Sequence, residues 1–150
     1  MRQQRVGAEL GMLNNLFKRQ MACMAEAEDN ITGMQAMIVH HLAVSRQDGD
    51  LFQRDIENFF QMRRSTATGI LQLMEQHGLL RREPVAHDGR LKRLVLTEQA
   101  WALESKIERK LQALEELMRD GIDEEELSVW FRVCGRLRAN LERGTMVSEE

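Results

Sequence analysis

The chain has 150 residues, 43% of them hydrophobic and 30% charged, with a formal net charge of −3. This length suits one domain, or one small domain with a helical extension, and the composition excludes a globally disordered chain. No apolar run approaches the roughly 18 residues of a membrane span, and Met1-Arg2-Gln3-Gln4-Arg5 is not followed by an apolar signal core, so a cytoplasmic protein is expected.

From Val6 to Met24 apolar residues fall at positions 6, 10, 13, 17, 21 and 24, steps that predict an amphipathic helix. Thr32-Gly33-Met34-Gln35 reads as a capping box, in which the Thr32 hydroxyl accepts from the Gln35 N–H and the Gln35 side chain reaches back. The helix that follows should bury Met34, Met37, Ile38, Leu42 and His41, and Gln47-Asp48-Gly49-Asp50 ends it as a polar turn. A helix of about two turns then starts near Phe52, anchored by Ile56, Phe59 and Phe60. Gln61-Met62 connects it to a helix over about 64–77. Ala67, Ile70, Leu71 and Met74 make the core face of that helix, and Arg64, Ser65, Thr68, Gly69, Gln72 and Gln76 make the other. Gly78 stops it as a left-handed C′ residue.

Leu79–Pro84 and Leu91–Leu96 are the predicted strands, joined by a connection containing Asp88-Gly89, a hairpin signal. Thr97 is the predicted N-cap of a long helix, with Glu98 complementing its dipole. Trp101, Ile107, Leu111, Leu114 and Met118 form the stripe of that helix, and Gly121 breaks it. Asp123 with Glu126 reads as a second capping box, opening a last helix with Leu127, Trp130, Cys134, Leu137 and Leu141 along one side. The expected order is α-α-(β)-α-α-β-β-α-α, a mainly α (α+β) chain built as a winged helix-turn-helix. The expected organisation is a lobe over 31–97 integrated with helical segments over 1–30 and 98–150, whose apolar stripes suit dimerisation.

Charge follows this division. Residues 61–96 carry seven basic and three acidic side chains, a surplus of four positive charges, whereas both flanks are net acidic. Positive charge is thus concentrated where the helix and hairpin would meet phosphate.

Three features resemble the MarR family of bacterial transcriptional regulators, along nearly the whole chain. The first is Arg64-Ser65-Thr66-Ala67-Thr68-Gly69 running to Glu75-Gln76-His77-Gly78-Leu79, similar to the recognition helix of that family and its Gly-Leu exit. The second is Asp88-Gly89-Arg90 followed by Leu94-Val95-Leu96-Thr97, similar to the Asp-x-Arg and Val-x-Leu-Thr of its wing. The third is the pair of helical termini. The resemblance implies an obligate homodimer whose two lobes engage adjacent major grooves of a pseudo-palindromic operator in double-stranded DNA. It also implies a repressor relieved by a small aromatic or anionic effector, or by an oxidant.

Base-reading candidates are Ser65, Thr66, Thr68 and Gln72, with Gly69 keeping the surface low enough for close approach. Arg63 and Arg64 are set for phosphate or guanine. The alternative is a solvated face whose Ser and Thr act only as caps. The wing, about 84–91, brings Arg90 to the minor groove with Asp88 placed to hold its guanidinium; the alternative is a local surface ion pair of little energy. Lys92 and Arg93 should lie on opposite strand faces, leaving one of them for phosphate, and Lys92 is the candidate. An effector cavity lined by Phe17, Met21, Met34, Met37, His41 and Trp101 is a further expectation, although the same residues would serve as core.

No metal or cofactor is expected. His40 and His41 are adjacent and point about 100° apart on a helix. The zinc-sensing branch of the family uses histidines on the helix after the wing, and none occurs between Thr97 and Gly121. Cys23 and Cys134 form no CxxC pair and read as small buried hydrophobes. The peroxide-sensing branch pairs its cysteine with tyrosines, which this sequence lacks. No catalytic constellation is present, so an enzyme is not expected. A winged-helix module for a protein partner, or a ligand sensor without sequence-specific DNA binding, remain as alternatives.

Overall fold

The computed structural model describes residues 4–25 and 30–144. Its elements are α1 (Val6–Ala25), α2 (Gly33–Val44), a 3-10 turn (Arg46–Asp48), α3 (Gln53–Phe60), α4 (Arg64–Gln76), β1 (Leu80–Val85), β2 (Asp88–Leu96), α5 (Glu98–Arg119) and α6 (Glu124–Gly144). Two compact units divide the chain, Met1–Gln112 and Ala113–Glu150. The predicted place of Met24 on the first stripe, and the parts of the dimerisation segments at 1–3, 26–29 and 145–150, lie outside the described residues.

The core of the first unit is built where the helix-turn-helix crosses α2. Ile38 and Val39 of α2, Ile56 of α3 and Leu71 and Met74 of α4 are fully buried, and Leu79, Leu80, Leu94, Leu96, Ala100 and Ile107 surround them. Each such side chain contributes about 1.5–3 kcal/mol on burial, so this cluster fixes α4 firmly against the rest of the lobe.

The Thr32–Gln35 capping box forms as expected, with Gln35 N–H donating to Thr32 Oγ1 at 3.2 Å and Thr32 N–H to Gln35 Oε1 at 3.1 Å. Its consequence for α2 was not anticipated. Gln35, Ala36 and Val39 are buried together with Ile38 and Leu42, whereas Met34 is exposed and Met37 and His41 are only half-buried. The helix is apolar nearly all round, so periodicity alone does not select its inner face. Gln35 is tolerated inside because the box satisfies its amide. Gly33, the first residue of α2, is needed for close approach: a Cβ there would lie 2.8 Å from the Cβ of Met21 on α1.

Other differences have local causes. Phe59, expected as an anchor, is 62% exposed, because α3 is only eight residues long and Ile56 takes its core position. Phe59 instead stacks on His41, with ring centroids 3.8 Å apart. Trp101 and Met118 are likewise exposed on α5, where Ala100 and Ile107 face inward. The optional strand before α3 reduces to one hydrogen bond, from Leu94 N–H to Leu51 O at 2.7 Å.

The strands pair antiparallel from Leu80↔Leu96 to Pro84↔Lys92, after which the register slips to Val85↔Asp88. The second strand therefore begins at Asp88 and not at Leu91, and Gly89, Arg90 and Leu91 bulge without ladder partners. Pro84 stands at the slip, where its missing N–H interrupts the ladder.

At the root of the hairpin the predicted caps are made. Gly78 is left-handed (φ 73°) and ends α4. The Thr97 hydroxyl donates to Gly78 O and accepts from Ala100 N–H, joining the exit of α4 to the start of α5. In the second unit Gly121 is also left-handed, and the Asp123–Glu126 box opens α6. Leu114 and Leu127 are buried there, while Trp130, Phe131, Val133 and Leu141 are exposed. On α1, Val6, Leu10, Leu13 and Leu16 are exposed in the same way. Cys23 is exposed and Cys134 half-buried, both as free thiols, so neither is the fully buried hydrophobe expected. No helix among the described residues is long and apolar enough to cross a membrane.

Candidate nucleic-acid interface

α4 presents a polar face opposite its core face. Ala67, Leu71 and Met74 are buried, Ile70 is half-buried, and Arg64, Ser65, Thr66, Gly69, Gln72 and Gln76 are exposed. A left-handed Gln61 (φ 51°) ends α3, and its amide donates to Asn58 O at 2.8 Å, setting the turn that aims α4 outward. The Arg63 side chain makes no capping hydrogen bond at the start of α4, and Ser65 and Thr66 are exposed in its first turn. A Cβ added at Gly69 would meet nothing within 4 Å.

The basic residues separate into two groups. Arg81 pairs with Glu83 (3.4 Å), Arg82 with Glu75 (3.3 Å), and Arg93 with Glu83 (2.9 Å) and Asp50 (3.4 Å). The hydrogen bonds that Arg93 donates to Glu83, reinforced by the charge of Asp50, raise the pKa of Arg93 above its ordinary value. Arg63, Arg64, Arg90 and Lys92 are exposed and have no ion pair among the described residues. These four unpaired cations are on the turn before α4, on its first residue and on the wing. They are also four of the residues proposed from sequence for contact. Lys92 and Arg93 do divide as expected, Arg93 into an internal ion-pair cluster and Lys92 to solvent.

Asp88 does not hold the Arg90 guanidinium. Its Oδ1 accepts from the backbone N–H of Arg90 at 2.9 Å. Two residues is the reach of an Asx turn to the main chain, so Asp88 shapes the bulge and leaves the guanidinium free to reach outward. Thr68 is half-buried, unlike its neighbours, because its Oγ1 accepts from Gln53 Nε2 at 2.8 Å. Gln53 was not among the predicted site residues. It sits 15 positions away at the start of α3, where a polar residue reads as simple solvent exposure, and nothing in linear spacing pointed to it.

The six effector candidates are not brought into one cavity. Phe17, Met21, Met34 and Met37 line a largely apolar groove of about 480 Å³ beside Thr32 and Gly33. Trp101 lines a different, mixed groove of about 460 Å³ with Leu42, Arg46 and Arg93, where the Arg46 guanidinium lies 5.3 Å from its ring centroid. His41 belongs to neither and packs against Phe59 and Phe60. Burial lowers the pKa of His41, the nearby His40 adds to this, and Asp55 opposes it. His40 Nδ1 lies 2.8 Å from Glu104 Oε1. Among the described residues no group of three or more His, Cys, Asp or Glu could hold a metal ion.

Comparison with known proteins gives a consistent result. The sequence profile of the MarR family matches residues 29–91, from just before α2 into the wing. No curated protein sequence matches significantly. Among solved structures, the transcription regulator MarR from Oenococcus oeni PSU-1 is 30% identical with a TM-score of 0.80, over 90% of this chain and 99% of that one. The S. aureus MepR–DNA complex superposes with a TM-score of 0.83 at 23% identity, over 93% and 99% of the two chains. The heme sensor PefR from Streptococcus agalactiae, bound to heme, is 25% identical with a TM-score of 0.60, over 92% and 95%. With the profile spanning the helix-turn-helix and a 30%-identical regulator matched along almost its full length, the chain belongs to the MarR family of transcription regulators.

Proposed function

We infer that the protein is a dimeric, sequence-specific DNA-binding regulator of transcription, acting in the cytoplasm by binding and not by catalysis. In this reading residues 64–77 enter the major groove and the wing, about 84–91, reaches the minor groove. The helical segments over 1–30 and 98–150 form the dimerisation region, and the lobe over 31–97 carries the DNA contacts. The carrying observation is the set of four exposed, unpaired cations, Arg63, Arg64, Arg90 and Lys92, flanking the polar face of α4. Phosphate contacts position such a lobe and base contacts specify its site. Two similar proteins solved with DNA, MepR and a regulator from Listeria monocytogenes, support the same assignment. A hydroxyl-rich, basic face suits duplex DNA better than a protein partner, which would call for an apolar one.

A mobility-shift titration of the full chain against DNA from its own upstream region tests this. A preferred site at low salt, with half-sites about one helical turn apart, is the expected outcome. Equal affinity for every duplex would sink the reading. The proposed output is repression relieved by a small molecule. The apolar groove at Phe17, Met21, Met34 and Met37 supports ligand binding by this chain. A ligand that raises the melting temperature and releases DNA supports that regulation, whereas one that leaves DNA affinity unchanged favours a sensor of another kind.

A further inference from the structure

We propose that Gln53 fixes the hydrogen-bonding direction of Thr68, so that Thr68 faces the groove as a donor and selects, at the position it touches, a base that presents an acceptor to it. The proposal rests on α4 being the reading helix.

Four side chains from three elements form one directed chain. Arg82 on β1 approaches Glu75 of α4 through Nε at 3.3 Å and donates through Nη1 to Gln53 Oε1 at 3.2 Å. Gln53 Nε2 donates to Thr68 Oγ1 at 2.8 Å and reaches Arg64 O at 3.4 Å. A guanidinium has donors only, so it must meet the oxygen end of the Gln53 amide. The amide nitrogen is thereby turned toward Thr68, whatever the sequence of the bound DNA. Arg82, which can only donate, therefore sets the direction of the chain through Gln53 to Thr68.

A threonine hydroxyl has one hydrogen to give and two lone pairs. Gln53 occupies a lone pair, and among the described residues the Thr68 hydroxyl has no acceptor for its hydrogen. The competing acceptor one turn back, Arg64 O, already receives the second contact of Gln53. Thr68 lies on the face of Ser65, Gly69 and Gln72, so the hydrogen is available to a duplex against that face. The acceptors offered in the major groove are guanine O6 and N7, adenine N7 and thymine O4, whereas cytosine N4 and adenine N6 offer donors. Gln53 thus acts as a positioning residue for specificity, through Thr68.

Selection of bound duplexes from a random pool tests the proposal, using the full chain and its Thr68→Val, Thr68→Ser, Gln53→Glu and Gln53→Met variants, each checked for cooperative melting. The wild type should return a motif with one position per half-site that requires an acceptor. Thr68→Val should reduce preference at that position alone, by roughly tenfold, and Thr68→Ser should keep it. Gln53→Glu can still pair with Arg82 but can only accept from Thr68, so the hydroxyl turns inward and the same position should shift toward cytosine N4 or adenine N6. Gln53→Met, which supplies neither direction, should leave the position indifferent and serves if Gln53→Glu does not fold. Loss of preference with Thr68→Val but an unchanged motif in the Gln53 variants would overturn the proposal, as would an unchanged motif with Thr68→Val. No motif from the wild type would instead remove the DNA-reading assignment, and this inference with it.

Discussion

Two glycines in the lobe have opposite tolerances. At Gly33 an added methyl group would press on the Cβ of Met21, so α1 could not keep its approach to α2. At Gly69 the same methyl meets nothing. Gly69→Ala should therefore stabilise α4 by about 0.5–1 kcal/mol, the usual gain of alanine over glycine in a helix. If that surface lies against the major groove, the variant should also bind its operator more weakly. Denaturant melts and mobility shifts on the same preparation check both; gains in stability and affinity together would place Gly69 away from the DNA. His41 gives a prediction in pH. Burial lowers its folded pKa below the ordinary 6.5, so the unfolded chain takes up the proton first as pH falls. Stability associated with the neutral ring is complete above about pH 6.5 and declines below it. Melting temperatures from pH 7.5 to 5.5 should fall less steeply in His41→Gln than in the wild type, and parallel curves would show that another group dominates. The polar face of α4 was legible from sequence because Ser65, Thr66, Gly69 and Gln72 follow helical spacing. The hydrogen bond from Gln53 to Thr68 was not, because it spans 15 residues.

Among elements, the wing separates shape from charge. Asp88 binds the main chain of Arg90, while Arg90 and Lys92 project without partners among the described residues. Arg90→Ala should therefore weaken binding to all duplexes and lower the salt slope by about one, with base preference little changed. Affinity titrations at several salt concentrations distinguish this from a specific contact, which would alter preference at particular positions. The caps were the most legible elements, since Thr32, Gly78, Thr97 and Asp123 each work through residues within a few positions or by their own backbone preference. Faces were less legible. α2 is too uniformly apolar for periodicity to exclude Met34 or include Val39, and a short α3 has room for one deep anchor where three apolar residues suggested more. The start of β2 was misplaced because Asp88-Gly89-Arg90 reads as a turn in sequence, yet Asp88 already pairs with Val85.

For the whole molecule, the unresolved balance is apolar surface. Val6, Leu10, Leu13 and Leu16 on α1, and Trp130, Phe131 and Leu141 on α6, remain exposed in the single chain. Exposed apolar stripes of this extent mark association surfaces. A charge within one should be poorly accommodated, so Leu13→Asp is expected to shift the protein toward monomer and to reduce operator affinity by more than tenfold, since each lobe would then bind alone. Sedimentation at micromolar concentration checks the first part, and an unaltered dimer would exclude the α1 stripe from the interface. The root of the hairpin has a consequence of another kind. Thr97 closes on Gly78 while Leu80 pairs with Leu96, so the chain enters and leaves the hairpin at a fixed separation. Insertions or deletions near that root would break the clasp or reverse which strand face is buried. At the tip, where three residues already bulge, they would do neither. Descendants of this sequence are therefore free to lengthen or shorten the wing's reach from its far end without rebuilding the helices it grows from.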